Sequence, residues 1–253
     1  MTQGLKNLEN MIYPGRIIII GKDLTGKKTI VIYALTGRSP SSQARRLVVK
    51  GTTVRVEQAG KHFLKREKRD LLIYPALHIH RGIAVSNGKQ TDDIKASLPL
   101  HESASEVLRS ALQDWDYEPD APNYTPRISG CVLPSGSASL GIIKRKKDGS
   151  SLREIFEILL KKGKGSLITT YLGNEEEPLQ PFKGAPLQVE LKGKSPQEMT
   201  AEVYRALSPR PQKKDYRVGV ACLFCGDFLK NEFDLHIINR ADKKRKNKII
   251  FLV

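Results

Sequence analysis

Cysteine is scarce in this chain: Cys131, Cys222 and Cys225 are the three among 253 residues. A small, odd number in a chain of that length supplies no disulfide framework and agrees with a reducing compartment. Long apolar runs are missing too. The stretches 17–20 and 249–253 fall far short of the ~20 residues a helix needs to cross a bilayer. The first ten residues are polar, without the apolar centre of a signal peptide. These absences predict a soluble cytoplasmic protein with no membrane partner. Acidic residues are outnumbered: 27 Asp and Glu face 43 Lys and Arg, for a net charge of +16. Such an excess points to an anionic partner, a nucleotide, a nucleic acid or a charged surface, without choosing among them.

No repeat with a period of ~20 to 50 residues is present, and the length suits one large domain. The chain divides into a flexible leader (1–11), a single domain (12–240) and a basic tail (241–253). Apolar β-type runs at 17–22 and 29–35, with Gly21 and Gly26 around the turn, predict a hairpin. Further strands are expected over 47–58, 71–74, 77–79, 83–86, 128–133, 139–145, 166–171, 218–224 and 233–238, with a Lys/Arg-rich connection over 61–69. Three amphipathic helices stand out. Ser103 and Glu106 have capping-box spacing before Val107, Leu108, Ala111, Leu112 and Trp115. Ser151 and Glu154 repeat that spacing before Ile155, Phe156, Leu159 and Leu160, with Gly163 in the place of a C-terminal cap. Ser195, Pro196 and Glu198 open a third helix that Pro209 follows. Many strands with few helices, not alternating as βαβ units, predict an α+β fold with largely antiparallel sheets and helices on their outer faces. A four-layer αββα sandwich satisfies that order.

Two stretches concentrate chemistry. Asp116-Tyr117-Glu118, followed by Asn123-Tyr124-Thr125-Pro126-Arg127, gathers acids, hydroxyls, an amide and an arginine where a helix ends and a strand begins. At two-residue spacing Asp116 and Glu118 are expected on one side, with pKa values pushed apart by mutual repulsion so that one acts as acid and the other as base. The second stretch runs from Thr36 through Gly37, Arg38, Ser39 and Pro40 to Arg45 and Arg46. Small hydroxyl residues and a glycine admit a phosphate, and the arginines supply forked donors. It is not a Walker loop, since GxxxxGK[ST] is absent. No metal is expected: Cys222-Leu223-Phe224-Cys225 has two apolar residues inside a strand-like run and no partner pair, and His78 and His80 lack a third ligand.

Taken together, Tyr13-x-Gly15-Arg16, Gly37-Arg38-Ser39, Ser86-Asn87-Gly88 with Thr91-Asp92, Asp116-Tyr117-Glu118, Thr125-Pro126-Arg127-Ile128 and Ile168-Thr169-Thr170-Tyr171 resemble the archaeal-type IMP cyclohydrolase family over 12–171. The resemblance implies an Ntn-hydrolase-like αββα fold without a self-processed N-terminal nucleophile. It also implies closure of formyl-AICAR ribotide to IMP with release of water, no metal or organic cofactor, and a homo-oligomer. It places Tyr74 and Asn87 beside Asp116 and Glu118 as catalytic residues. Arg38, Ser39, Arg127 and Thr170, with Arg45, Arg46 or both, fall to the nucleotide and its phosphate. Two other classes compete. A nucleic-acid-binding protein would use the basic tail, although no RNA-binding fingerprint is visible and the charges are spread along the chain. An Ntn-type amidohydrolase would use Thr2, which lies well ahead of the first strand.

Overall fold

The computed structural model describes residues 5–60, 71–228, 230 and 232–244. The connection expected over 61–69, Thr2 and most of the tail lie outside the described residues. Strands β1 (Arg16–Lys22) and β2 (Thr29–Thr36) form the expected hairpin, and they sit at the centre of a six-stranded sheet. Its remaining strands are β10 (Lys164–Thr169), β11 (Leu187–Glu190), β12 (Arg217–Cys225) and β13 (Phe233–Asn239), in the order β11-β10-β1-β2-β12-β13. The second sheet runs in sequence through seven strands. These are β3 (Arg45–Lys50), β4 (Thr53–Gln58), β5 (Tyr74–Ile79), β6 (Ile83–Ser86), β7 (Arg127–Val132), β8 (Ala138–Arg145) and β9 (Ser151–Glu157). Every pairing recorded in both sheets is antiparallel.

The helices described are α1 (Lys6–Glu9), α2 (Pro40–Gln43), α3 (Gln90–Ser97), α4 (Ala104–Ala111) and α5 (Pro196–Ala206). None of the described helices is long and apolar enough to cross a membrane. Apolar side chains fall into three main clusters that define four layers. Ile18, Ile20, Tyr33 and Leu35 meet Val56, Tyr74, Val85, Ile128 and Leu140 between the two sheets. Ile17, Ile19, Ile32 and Val220 point the other way, under Met199 and Val203 of α5 and Leu8 of α1. Ala84, Cys131 and Ile143 cover the outer face of the second sheet under Ile94, Val107 and Leu108 of α3 and α4. A strand buried on both faces needs apolar residues at every position, which is why β1 carries four consecutive isoleucines.

Two helices are capped as the sequence predicts. Ser103 accepts from the Glu106 N–H and donates to its Oε2 at 2.9 Å, and Ser195 accepts from the Glu198 N–H at 3.2 Å. The middle helix is not formed: 151–157 is the edge strand β9, paired with β8 from Ser139↔Glu157 to Arg145↔Ser151. Spacing alone fits a helix there, but Lys146 to Ser150 makes a tight turn with Gly149 at φ +86, which sends the chain straight back along β8. Consecutive Ile155 and Phe156 then pack against opposite faces of the sheet, something a helix does not allow.

Alternation also separates other neighbours. Cys222 faces α5 and Cys225 faces the space between the sheets, so the pair cannot grip one ion. His78 is buried, held by Thr53 Oγ1 at 2.8 Å and Asp92 Oδ1 at 2.7 Å, while His80 lies exposed just past β5.

Candidate active site

Glycine begins the site. Gly15 has φ +75, and a Cβ there would lie 2.7 Å from Thr170 Oγ1 and 2.8 Å from the Tyr171 ring. Only glycine lets the start of β1 lie against the end of β10 in this way. The contact fixes Arg16: its N–H donates to Thr170 Oγ1 at 2.7 Å, and its carbonyl accepts from the Thr170 N–H at 2.9 Å. The Arg16 side chain is buried and donates from Nη2 to Glu118 Oε1 at 2.6 Å.

Around this pair lies a cavity of about 700 Å³, within the range that holds a small-molecule ligand. Arg16, Arg38 and Arg45 line it, with Ser39, Ser41 and Ser42 on one side and Glu118, Asp120, Asn123 and Thr125 on the other. Tyr13, Tyr171, Leu71, Leu72 and Leu179 supply apolar surface. Arg45 is 2 % exposed; it donates from Nε to the Ser42 carbonyl at 2.8 Å and from Nη2 to the Thr36 carbonyl at 3.2 Å. Among the described residues its Nη1 and the Nε of Arg16, both buried, have no hydrogen-bond partner. Buried guanidinium N–H groups without acceptors are costly, and the three arginines of the lining give the cavity the charge to hold an anion. Arg38 lies 5.3 Å over the Tyr13 ring and donates to Glu177 at 3.1 Å.

Glu118 is 3 % exposed. Burial raises its pKa above the usual carboxylate value, and the nearby charges of Arg16 and Arg127 oppose that rise. Asn87, fully buried, donates to Glu118 Oε1 at 3.4 Å and to the Pro126 carbonyl at 2.9 Å, and accepts from Ile128 N–H and Gln90 Nε2. It therefore ties Glu118 to the turn before β7. Asp120 accepts from the N–H and hydroxyl of Thr125, and Thr125 Oγ1 lies 2.6 Å from the Tyr171 hydroxyl. Because the single hydroxyl proton of Thr125 goes to Asp120, Tyr171 must donate to Thr125, giving an ordered chain that ends on a carboxylate.

The sequence-predicted residues divide. Glu118, Arg38, Ser39 and Arg45 line the cavity. Asn87 and Thr170 stand directly behind it, holding Glu118 and Arg16. Tyr74 is wholly buried beneath, its hydroxyl 2.7 Å from that of Tyr33, and both hydroxyls lie close enough to Arg16 to shift its ionisation. Three further residues do not line the cavity. The Asp116 carboxylate is exposed and bonds Ser151 at 2.6 Å and Arg153 at 3.4 Å, so the two expected acids do not share a site. The acid close enough to raise Glu118 is Asp120. The loop 116–120 is not a strand, so two-residue spacing does not put side chains on one face. Arg46 leaves β3 on the face opposite Arg45 and lines a different cleft. Arg127 is committed to the Asp116 carbonyl, Gln90 and the Trp115 ring, 4.7 Å away.

Sequence reasoning gave no role to Arg16, Asp120, Thr125 or Tyr171. The signal for Arg16 was available: an arginine heading four isoleucines is buried with them and needs a buried partner. Among the described residues no group of His, Cys, Asp and Glu is arranged to hold a metal ion.

A family model described as IMP cyclohydrolase-like protein matches residues 13–219. No curated protein matches the chain.

Proposed function

Because the chain belongs to the IMP cyclohydrolase-like family, we propose that it closes formyl-AICAR ribotide to IMP with release of water, the last step of purine synthesis. The observation that carries this reading is one cavity lined by a buried carboxylate of raised pKa and by two buried guanidiniums, each with an N–H that has no partner among the described residues.

In the reaction the carboxamide nitrogen attacks the formyl carbon and a C–N bond forms. The formyl oxygen takes the proton that the nitrogen gives up. It then leaves as water with a second proton, from the formamido nitrogen, as the C–O bond breaks and a C=N bond forms within the closed ring. The nucleophile is poor and the electrophile weak, so proton transfer and oxyanion stabilisation are both needed. Glu118 moves the protons, since burial brings its pKa toward the working range of a group that both accepts and donates. Arg16 offers its free Nε–H to the developing oxyanion. Arg38, Arg45 and the serines 39, 41 and 42 hold the phosphate. Asn87, Thr170 and Tyr74 position these groups from behind. The same reading includes an Ntn-hydrolase-like sandwich without an N-terminal nucleophile, a cytoplasmic homo-oligomer, and chemistry that needs no metal or organic cofactor.

The test is an absorbance assay with purified protein and formyl-AICAR ribotide, with a chelator present. IMP should form, and Glu118→Gln should lower turnover by about a hundredfold or more with little change in KM. Wild-type protein that leaves the ribotide unchanged would overturn the activity; a Glu118→Gln variant of undiminished rate would overturn the residue assignment alone.

A further inference from the structure

We propose that a second cleft, separate from the cavity around Glu118, binds an organic anion with an apolar body. It opens where β3 and β13, edge strands of the two sheets among the described residues, meet helix α5. Its volume is about 620 Å³, and it shares no lining residue with the first cavity. Leu47, Val49, Ile237 and Ile238 form an aliphatic floor, three of them only partly buried.

The rim carries the charge. Arg46 and Arg205 line the cleft, and neither makes a hydrogen bond or an ion pair through its side chain among the described residues. Arg217 lines it too, but its guanidinium is occupied by Asp215 at 2.8 and 2.9 Å, the Tyr204 carbonyl and Ser208. The facing acid, Asp242, accepts from Asn239 at 3.0 Å. Glu202 on α5 acts electrostatically on Arg205; even so, two guanidiniums without a hydrogen-bond or ion-pair partner among the described residues, set over hydrocarbon, make a forked site for a carboxylate or phosphate head, with an apolar surface for its body.

The edge is also protected against the obvious rival, an added β-strand. Asn239 accepts from the Leu47 N–H at 2.8 Å and donates to the Leu47 carbonyl at 3.0 Å, so the middle of β3 is already paired by a side chain. A Cβ at Gly219 would lie 2.7 Å from Asn239 Oδ1, so this contact depends on glycine at that position. The cleft is thus kept open for a compact ligand. Arg45 and Arg46, adjacent on β3, serve the two cavities separately.

The proposal stands apart from the reaction assigned to Glu118, and it is tested without turnover. The probe is 8-anilinonaphthalene-1-sulfonate, an aromatic anion whose fluorescence rises on binding. Saturable binding is expected, weakened about fivefold by Arg46→Ala and by Arg205→Ala. Decanoate and octyl phosphate should both displace it, and the better of the two identifies the head group. Two results would overturn the proposal. One is unchanged binding in the Arg46→Ala, Arg205→Ala double variant. The other is displacement by inorganic phosphate as effective as by decanoate, which would mean that charge alone is recognised.

Discussion

Arg45 and Arg46 are adjacent in sequence, yet strand alternation sends one into the cavity around Glu118 and the other to the opposite face. Arg45→Ala should therefore raise KM for the ribotide by about tenfold or more, whereas Arg46→Ala should leave it unchanged; steady-state kinetics on the two variants checks both. Histidine gives a second residue-scale effect. His236 is buried opposite Cys222, its Nδ1 without a partner among the described residues, and burial lowers its pKa below the usual 6.5. A depressed imidazole favours the unfolded chain as pH falls, because that chain takes up the proton first. The stability is fully present above pH 6.5 and is lost as the pH falls below that value toward the folded pKa. Burial shifts His78 in the same direction. Thermal midpoints measured at about pH 7.5 and about pH 5.5 should converge in His236→Leu relative to wild type.

At the scale of elements, caps were readable and turns were less so. Ser195 and Glu198 mark the start of α5 in sequence and form the cap in the structure. Ser195→Ala should cost about 1 kcal/mol in denaturant-induced unfolding, since the Glu198 N–H loses its acceptor. The same spacing at Ser151 and Glu154 misled, because a capping box is a local preference and β8 offers seven paired positions. The Asp148-Gly149 turn ahead of β9 was the stronger signal.

Across the whole molecule, charge and layering matter together. On the proposed function, a chain of net charge +16 would draw its anionic substrate from a distance. The kcat/KM for the ribotide should fall as ionic strength rises, with kcat much less affected, because screening shortens the reach of that field. Stopped-time assays across a salt series would check this. The cavity itself exists because β1, β3, β10 and the loop before β7 end together at one pole of the two-sheet core.

Sequence alone determined the α+β class, most strands and two of the three helices it marked, and it singled out Glu118, Arg38 and Ser39, which line one cavity. These depend on local periodicity, capping and short motifs, which are written in consecutive residues. Only the tertiary structure decided that Asp116 lies outside the site, that Arg45 rather than Arg46 enters it, and that Arg16 pairs with Glu118 across 102 positions of sequence. The direction of a side chain on a loop or edge strand depends on which distant strand lies beside it, and no local pattern carries that information.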